Sequence, residues 1–151
     1  MMKFSRILVP VTGIHTGREA IGLACKLAKQ DKSEIRAIYI ITPKRDLPLD
    51  AEIESEIQKA EDILDSIEAF AKKENFRIST EVLQSRDVGA AIINEAKERE
   101  ADLILLGVAY KIRYGEFSMG EIVPYILKNS PCRLIIYQSC YAMQMMQFLN
   151  E

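Results

Sequence analysis

The chain contains little of the chemistry that metal sites and disulfide frameworks require. Its 151 residues include one histidine and three cysteines, and the cysteines show no regular spacing. These numbers are too small for the common zinc sites or for a framework of disulfides. We therefore predict no structural metal site, and unpatterned cysteines favour a reducing compartment, the cytoplasm.

Long apolar runs and an excess of charge of one sign are missing as well. No apolar run approaches the ~18 residues that would span a bilayer, and the N-terminus lacks the apolar core and cleavage site of a signal peptide. With 20 basic and 22 acidic residues the net charge is −2, which gives no general attraction to nucleic acid or anionic lipid. We predict neither nucleic-acid binding nor membrane insertion.

What the sequence does contain is a regular alternation of two kinds of segment. Short apolar runs predict strands, and longer stretches with apolar residues at helical spacing predict helices. The predicted strands cover residues 6–11, 34–41, 77–83, 103–106 and 132–137. The predicted helices cover residues 16–30, 50–74, 88–100 and 120–129. This alternation predicts one α/β domain, an open five-stranded parallel sheet with helices on both faces.

Ligand sites in such sheets lie beyond the carboxyl ends of the strands, where neighbouring connections leave in opposite directions. Two loops qualify here, residues 11–17 after the first strand and residues 107–120 after the fourth. The second contains three glycines and two basic residues and is longer than usual connections of this type. Gly120 and the following helix could hold a phosphate, but the glycines could also simply end a strand and start a helix.

Two common phosphate-binding motifs are absent. The spacing Gly115-x4-Gly120 matches the opening of a Walker A loop, yet Glu121 and Ile122 follow instead of Lys and Ser or Thr. No Gly-x-Gly-x-x-Gly follows the first strand. Carboxylates are numerous, but the sequence places none of them against a nucleophile or a base. We therefore assign no catalytic residue and expect at most slow ATP hydrolysis.

Three segments resemble the universal stress protein family, and the resemblance extends from Phe4 to Tyr137. They are Arg6-Ile-Leu-Val-Pro-Val-Thr-Gly13, Ala101-Asp-Leu-Ile-Leu-Leu-Gly107 and Tyr125-Ile-Leu-Lys-Asn-Ser-Pro-Cys-Arg-Leu-Ile-Ile-Tyr137. The resemblance implies a Rossmann-like fold, similar to the adenine nucleotide alpha hydrolases, with strand order 3-2-1-4-5. It also implies a family domain over residues 1–138, followed by an apolar C-terminal tail, residues 139–151.

ATP-binding members of this family carry Gly-x2-Gly-x9-Gly-Ser/Thr after the fourth strand. On this chain the four positions fall on Gly107, Tyr110, Gly120 and Glu121, and the family's aspartate after the first strand falls on Thr12. The resemblance thus implies a degenerate site for ATP or AMP, with Mg²⁺ present only if ATP is bound. The implied cofactor contacts are Pro10, Val11, Thr12, Ile40, Gly107, Tyr110, Lys111, Arg113, Gly120, Glu121, Ile122 and Val123.

Charges at the predicted phosphate end oppose one another. Glu121 would put a carboxylate beside the phosphate, and two like charges a few ångströms apart repel by ~1 kcal/mol in water, more when partly buried. Lys111 and Arg113 add positive charge to the same loop. Two functions stay open: a nucleotide-responsive regulatory protein of the stress response, or an interaction module without nucleotide, for example one that regulates a membrane transporter.

The last strand predicts a partner surface. Universal stress proteins commonly dimerise by pairing their last strands antiparallel, so the resemblance implies a homodimer through Leu134, Ile135, Ile136 and Tyr137. An apolar strand of this kind would otherwise leave an edge open to aggregation. The Met-rich tail is then either packed near that interface or frayed.

Overall fold

Five strands and four helices alternate in the computed structural model, which describes residues 3–108 and 122–138 apart from the side chains of Ile14 and His15. The strands are β1 (Arg6–Val11), β2 (Glu34–Ile41), β3 (Ser79–Gln84), β4 (Leu103–Val108) and β5 (Arg133–Gln138). The helices are α1 (Ile14–Asp31), α2 (Glu54–Lys73), α3 (Val88–Glu98) and α4 (Ile122–Asn129). The strands pair in parallel in the order β3-β2-β1-β4-β5. The predicted fold class and strand order are confirmed.

The sheet separates two apolar cores. Successive side chains of a strand point to opposite faces, so Ile7 and Val9 of β1 belong to the core that contains the apolar residues of α1 and α2. Leu8, between them, belongs to the core beneath α3 and α4. Because both faces are covered, β4 reads as a continuous apolar run and all of its residues are buried.

The connections that follow β1 and β4 leave in opposite directions. α1 leads from β1 to β2 on one side, and α4 leads from β4 to β5 on the other. The carboxyl ends of these two neighbouring strands therefore form the point at which the winding of the sheet reverses. A ligand crevice is expected there.

Two predicted boundaries near this point are wrong. α1 begins at Ile14, so the expected loop of residues 11–17 shrinks to Thr12 and Gly13 between β1 and α1. β4 continues through Val108, which places Gly107 inside the strand instead of at the start of a loop. Both elements reach further toward the carboxyl edge than their apolar patterns predicted.

The predicted start of α2 is wrong by four residues, because the helix begins at Glu54 and not at residue 50. A turn precedes the helix, in which the Ala51 N–H donates to the Pro48 carbonyl at 3.0 Å. Ile53 then has an extended backbone and forms the N-cap without a side-chain hydrogen bond. The acidic residues Glu54 and Glu56 still occupy the first turn, where the helix dipole favours negative charge.

α1 approaches the sheet very closely at Gly107. A Cβ built on this glycine would lie 3.1 Å from the Thr16 carbonyl oxygen and 3.3 Å from Ala20 Cβ. The oxygen is part of the helix backbone, so it cannot rotate aside as a side chain could. The missing side chain of Gly107 therefore allows the first turns of α1 to lie directly on β4.

We expect Gly107→Ala to destabilise the fold by about 1–3 kcal/mol, since the added methyl group forces α1 away from β4. Gly22→Ala on α1 is the matched control. Its Cβ would meet the Phe70 ring at an ordinary 3.7 Å, and alanine in a helix interior is favoured over glycine by about 0.5–1 kcal/mol. Urea unfolding measures both changes. Equal effects of the two substitutions would contradict the close approach at Gly107.

Candidate functional site

A crevice of about 290 Å³ opens at the carboxyl ends of β1 and β2. Residues from both faces of the sheet line it, because it lies over the strand ends and not within either core. Val11 and Thr12 come from the end of β1, Val88 from the start of α3 and Ile122 from the start of α4. Pockets that bind small molecules are often ~300–1,000 Å³, so the described part of this crevice is near the lower end of that range.

The ionisable side chains that line the crevice lie on one side of the sheet. Ile40, Val88 and Ile122 are apolar and belong to the α3/α4 side of the sheet. Tyr39, Glu56 and Lys59 are polar and come from β2 and α2 on the other side. An apolar wall faced by a few polar groups is typical of sites for small organic ligands.

The phenol of Tyr39 lies in this crevice in its neutral form. The residue is 9% exposed. Burial raises the pKa of Tyr39 above its usual value of about 10, and the negative charge of Glu56 raises the pKa further. Tyr39 therefore keeps its proton at neutral pH and can donate a hydrogen bond to a ligand.

Two buried threonine hydroxyls at the β1–α1 junction have no hydrogen-bond partner in the described part of the chain: Thr12 Oγ1 and Thr16 Oγ1. Thr12 lines the crevice, and Thr16 follows one helical turn later in α1 with 5% of its surface exposed. A buried hydroxyl without a partner costs about 1–3 kcal/mol. Both groups thus have free hydrogen-bonding capacity at the place where the winding of the sheet reverses.

The predicted cofactor contacts fall into three groups. Val11, Thr12, Ile40 and Ile122 line the crevice together. Pro10, Gly107 and Val123 are buried close by in β1, β4 and α4 but do not form its surface. The remaining five lie outside the described residues: Tyr110, Lys111, Arg113, Gly120 and Glu121.

The polar wall formed by Tyr39, Glu56 and Lys59 was not predicted from the sequence. A usable signal was present, since β2 ends at the carboxyl edge of the sheet and α2 has to start near that edge. Glu56 and Lys59 occupy the first two turns of α2, next to the buried Ala60. They border the buried face of the helix and are therefore brought to the crevice.

A second cavity of about 300 Å³ lies at the opposite edge of the sheet, beside the amino ends of β1 and β2. Its three arginines are already paired with carboxylates. Arg6 pairs with Glu100 at 3.4 Å and Arg36 with Glu81 at 3.3 Å. Arg99 pairs with Glu81 at 3.3 Å and with Glu95 at 3.0 Å. Arg36 and Arg99 therefore neutralise carboxylates within the fold. This cavity offers a ligand fewer unsatisfied groups than the crevice at the carboxyl edge.

Neither a metal centre nor a membrane span is found in residues 3–108 and 122–138. No group of three or more His, Cys, Asp or Glu side chains in these ranges is arranged to hold a metal ion. None of the helices described there combines the length and the hydropathy that crossing a membrane requires.

Comparison with known proteins assigns the chain to a family. The Universal stress protein family matches residues 3–138, nearly the whole chain. The chain belongs to the universal stress protein family. A universal stress protein of Methanocaldococcus jannaschii is 27% identical over 139 residues, which cover 88% of this chain and 81% of the relative.

Solved structures of universal stress proteins have the same fold. A family member from Burkholderia pseudomallei superposes with a TM-score of 0.70 at 17% identity, covering 89% of this chain and 96% of the other. The protein from Archaeoglobus fulgidus in complex with dAMP gives 0.70 at 14% identity, covering 89% and 98%. A universal stress protein in complex with cAMP gives 0.70 at 15% identity, covering 92% and 100%.

We expect Glu56→Gln to lower the pKa of Tyr39, because it removes the negative charge that adds to the effect of burial. The raised pKa means that the native state holds the phenol proton more tightly than the unfolded chain. Stability is therefore highest below pH ~10 and is lost as pH rises through the raised pKa. The substitution moves this loss to lower pH.

Titration of ¹³C-labelled tyrosine by NMR measures the effect. Tyr137 is the internal control, because burial and Glu19 raise its pKa while Glu56 does not contribute. An unchanged midpoint for Tyr39, or an equal shift at Tyr137, would show that Glu56 does not act on the crevice phenol.

Proposed function

We propose that this universal stress protein binds an adenosine nucleotide in the crevice at the carboxyl ends of β1 and β2 and acts as a cytoplasmic regulatory protein of the stress response. The observation that carries the proposal is the crevice itself, in which apolar side chains face a small set of polar groups. Its place beside the reversal of the sheet's winding is where α/β folds of this kind bind ligands.

The shape of the apolar wall suits a flat base. Ile40, Val88 and Ile122 offer an apolar surface for the faces of an adenine ring. Tyr39 supplies a hydroxyl for the polar edge of the base or for the sugar. Two family members of the same fold were solved with dAMP and cAMP, which supports an adenine nucleotide as the ligand class.

The proposal includes binding and no catalytic step. The charged side chains that line the described crevice are Glu56 and Lys59, and both come from α2. Glu56 is the one acidic residue among the described residues that line this crevice. We propose ATP or AMP as the ligand, with Mg²⁺ accompanying ATP alone.

Calorimetric titration with ATP, ADP and AMP in the presence of Mg²⁺ tests nucleotide binding. We expect Ile40→Trp to weaken binding about tenfold or more, because the indole occupies the space of the base. Leu127→Trp on α4 is the matched control, since Leu127 is 62% exposed and lies outside the crevice. Absence of heat and of a thermal shift for the wild type at millimolar nucleotide would contradict the proposal and favour an interaction module without nucleotide.

We also propose that a second copy of the chain covers the outer edge of β5. This strand pairs with β4 on one side and with no described strand on the other. Leu134, Ile135, Ile136 and Tyr137 are each only half-buried, whereas every residue of β4 is buried. The tail of residues 139–151 follows β5 directly in the sequence, and we propose that it contributes to this dimer interface.

Sedimentation equilibrium at micromolar concentration tests the dimer. We expect the wild type to be dimeric and Ile136→Asp to be monomeric, because a carboxylate in an apolar interface loses its hydration without gaining a partner. Leu127→Asp places the same charge on exposed α4 and is expected to leave the dimer intact. Circular dichroism confirms that both variants fold, and a monomeric wild type would refute the interface.

A further inference from the structure

The N-terminus of α1 has no capping side chain. Its N-cap is Gly13, which supplies no side-chain hydrogen bond, and no acidic residue lies in the first turn. The first backbone hydrogen bond at this end runs from the Gly17 N–H to the Gly13 carbonyl at 3.1 Å. The N–H groups that precede Gly17 in the helix therefore have no acceptor within it, and they add to the partial positive charge of a helix start.

Two other helices that start at the same edge of the sheet, α2 and α3, have carboxylates at their N-termini. α2 has Glu54 and Glu56 in its first turn. Asp87 is the N-cap of α3 and its side chain accepts a hydrogen bond from the Ala90 N–H at 3.1 Å. Glu121 precedes α4 in the sequence. Of α1, α2 and α3, α1 is thus the helix that has no carboxylate in its first turn or at its N-cap.

Thr16 is the second, independent observation at this place. The residue is 5% exposed, and its hydroxyl has no partner among the residues described. Side chains of a helix tilt toward its N-terminus, so the Thr16 side chain is directed back toward Thr12 and Gly13. The Thr12 hydroxyl is buried and unpartnered in the same region. A hydroxyl can donate a hydrogen bond, as the free N–H groups do.

Space for a ligand group is present beside these donors. A Cβ built on Gly13 would meet no atom within 4 Å. The preceding residue, Thr12, lines the crevice of the proposed nucleotide site. The Thr16 carbonyl contacts Gly107 of β4, which fixes this turn of α1 over the place where the winding of the sheet reverses.

We infer that the N-terminus of α1 and the hydroxyls of Thr12 and Thr16 bind a phosphate group of the nucleotide. An oxyanion satisfies the free N–H groups, the two hydroxyls and the positive end of the helix together. A neutral sugar hydroxyl would use the threonines but gain nothing from the charge of the helix start. This inference depends on the proposed nucleotide binding and adds the position of the phosphate to it.

The first test compares ligands with and without phosphate on Thr16→Val, which removes the hydroxyl at nearly constant shape. We expect AMP and ribose 5-phosphate to bind about tenfold more weakly, the loss of one hydrogen bond to a charged group. Adenosine is expected to change less than about twofold. Thr16→Ser keeps a hydroxyl and is expected to retain AMP binding. Thr80→Val, which removes a hydroxyl from β3 outside the crevice, is the matched control.

The second test uses Gly13→Asp. The backbone of Gly13, at φ −153° and ψ 171°, is extended and accepts any residue, and aspartate is a preferred N-cap. The new carboxylate occupies the position of the phosphate and repels it. We expect a higher melting temperature together with loss of AMP binding, so that reduced binding is not a sign of misfolding.

The outcomes separate this inference from the proposed function. If the wild type binds neither AMP nor adenosine, both are wrong. If the wild type binds AMP, but Thr16→Val and Gly13→Asp leave that affinity unchanged, the phosphate lies elsewhere and only the inference is wrong. An equal loss of AMP and adenosine affinity in Thr16→Val also overturns it, because the hydroxyl then does not recognise phosphate.

Discussion

The contact between α1 and Gly107 is the constraint on which the rest of the carboxyl edge depends. A side chain at Gly107 would meet the Thr16 carbonyl oxygen at 3.1 Å, so the helix can rest on β4 only because the strand has glycine there. Because α1 lies so close to β4, two residues, Thr12 and Gly13, are enough to connect β1 to α1. The short connection brings the start of the helix close to the crevice, which Thr12 lines. Close packing of a helix on a strand thus determines the chemistry offered to a ligand.

The described groups of the crevice suit the binding step of the proposed function. Hydrolysis of a phosphate ester requires a positioned base or a metal ion to activate water. The described part of the crevice instead offers uncharged donors at α1, a phenol that burial keeps protonated at Tyr39, and the single pair of opposite charges Glu56 and Lys59. In the proposed function, these groups orient the nucleotide.

The sequence was sufficient for the architecture and insufficient for the surface of the site. The alternation of apolar segments predicts the strands and helices, because each element must bury its own apolar residues. The family resemblance predicts the order of the strands in the sheet. Gly107 was interpreted as the end of a strand, since glycine is common in turns, but its role is to admit a helix from a distant part of the chain. That role depends on a tertiary contact that periodicity does not encode. Glu56 and Lys59 were missed for the same reason, although the end of β2 indicated where α2 must begin.

α1 also connects the proposed ligand site with the proposed dimer edge. Its first turns lie on Gly107, and in the register of the sheet Gly107 is the partner of Tyr137 on β5. The negative charge of Glu19 raises the pKa of Tyr137. Glu19 follows Thr16 by about one turn of the same helix. α1 therefore lies between the proposed phosphate position and the proposed dimer edge. If dimerisation changes how α1 presents its free N–H groups, linkage requires that nucleotide and partner subunit change each other's affinity by the same factor. A nucleotide with equal affinity for the monomer and the dimer would change nothing. Coupling between the two proposed sites thus requires that the monomer and the dimer present these N–H groups differently.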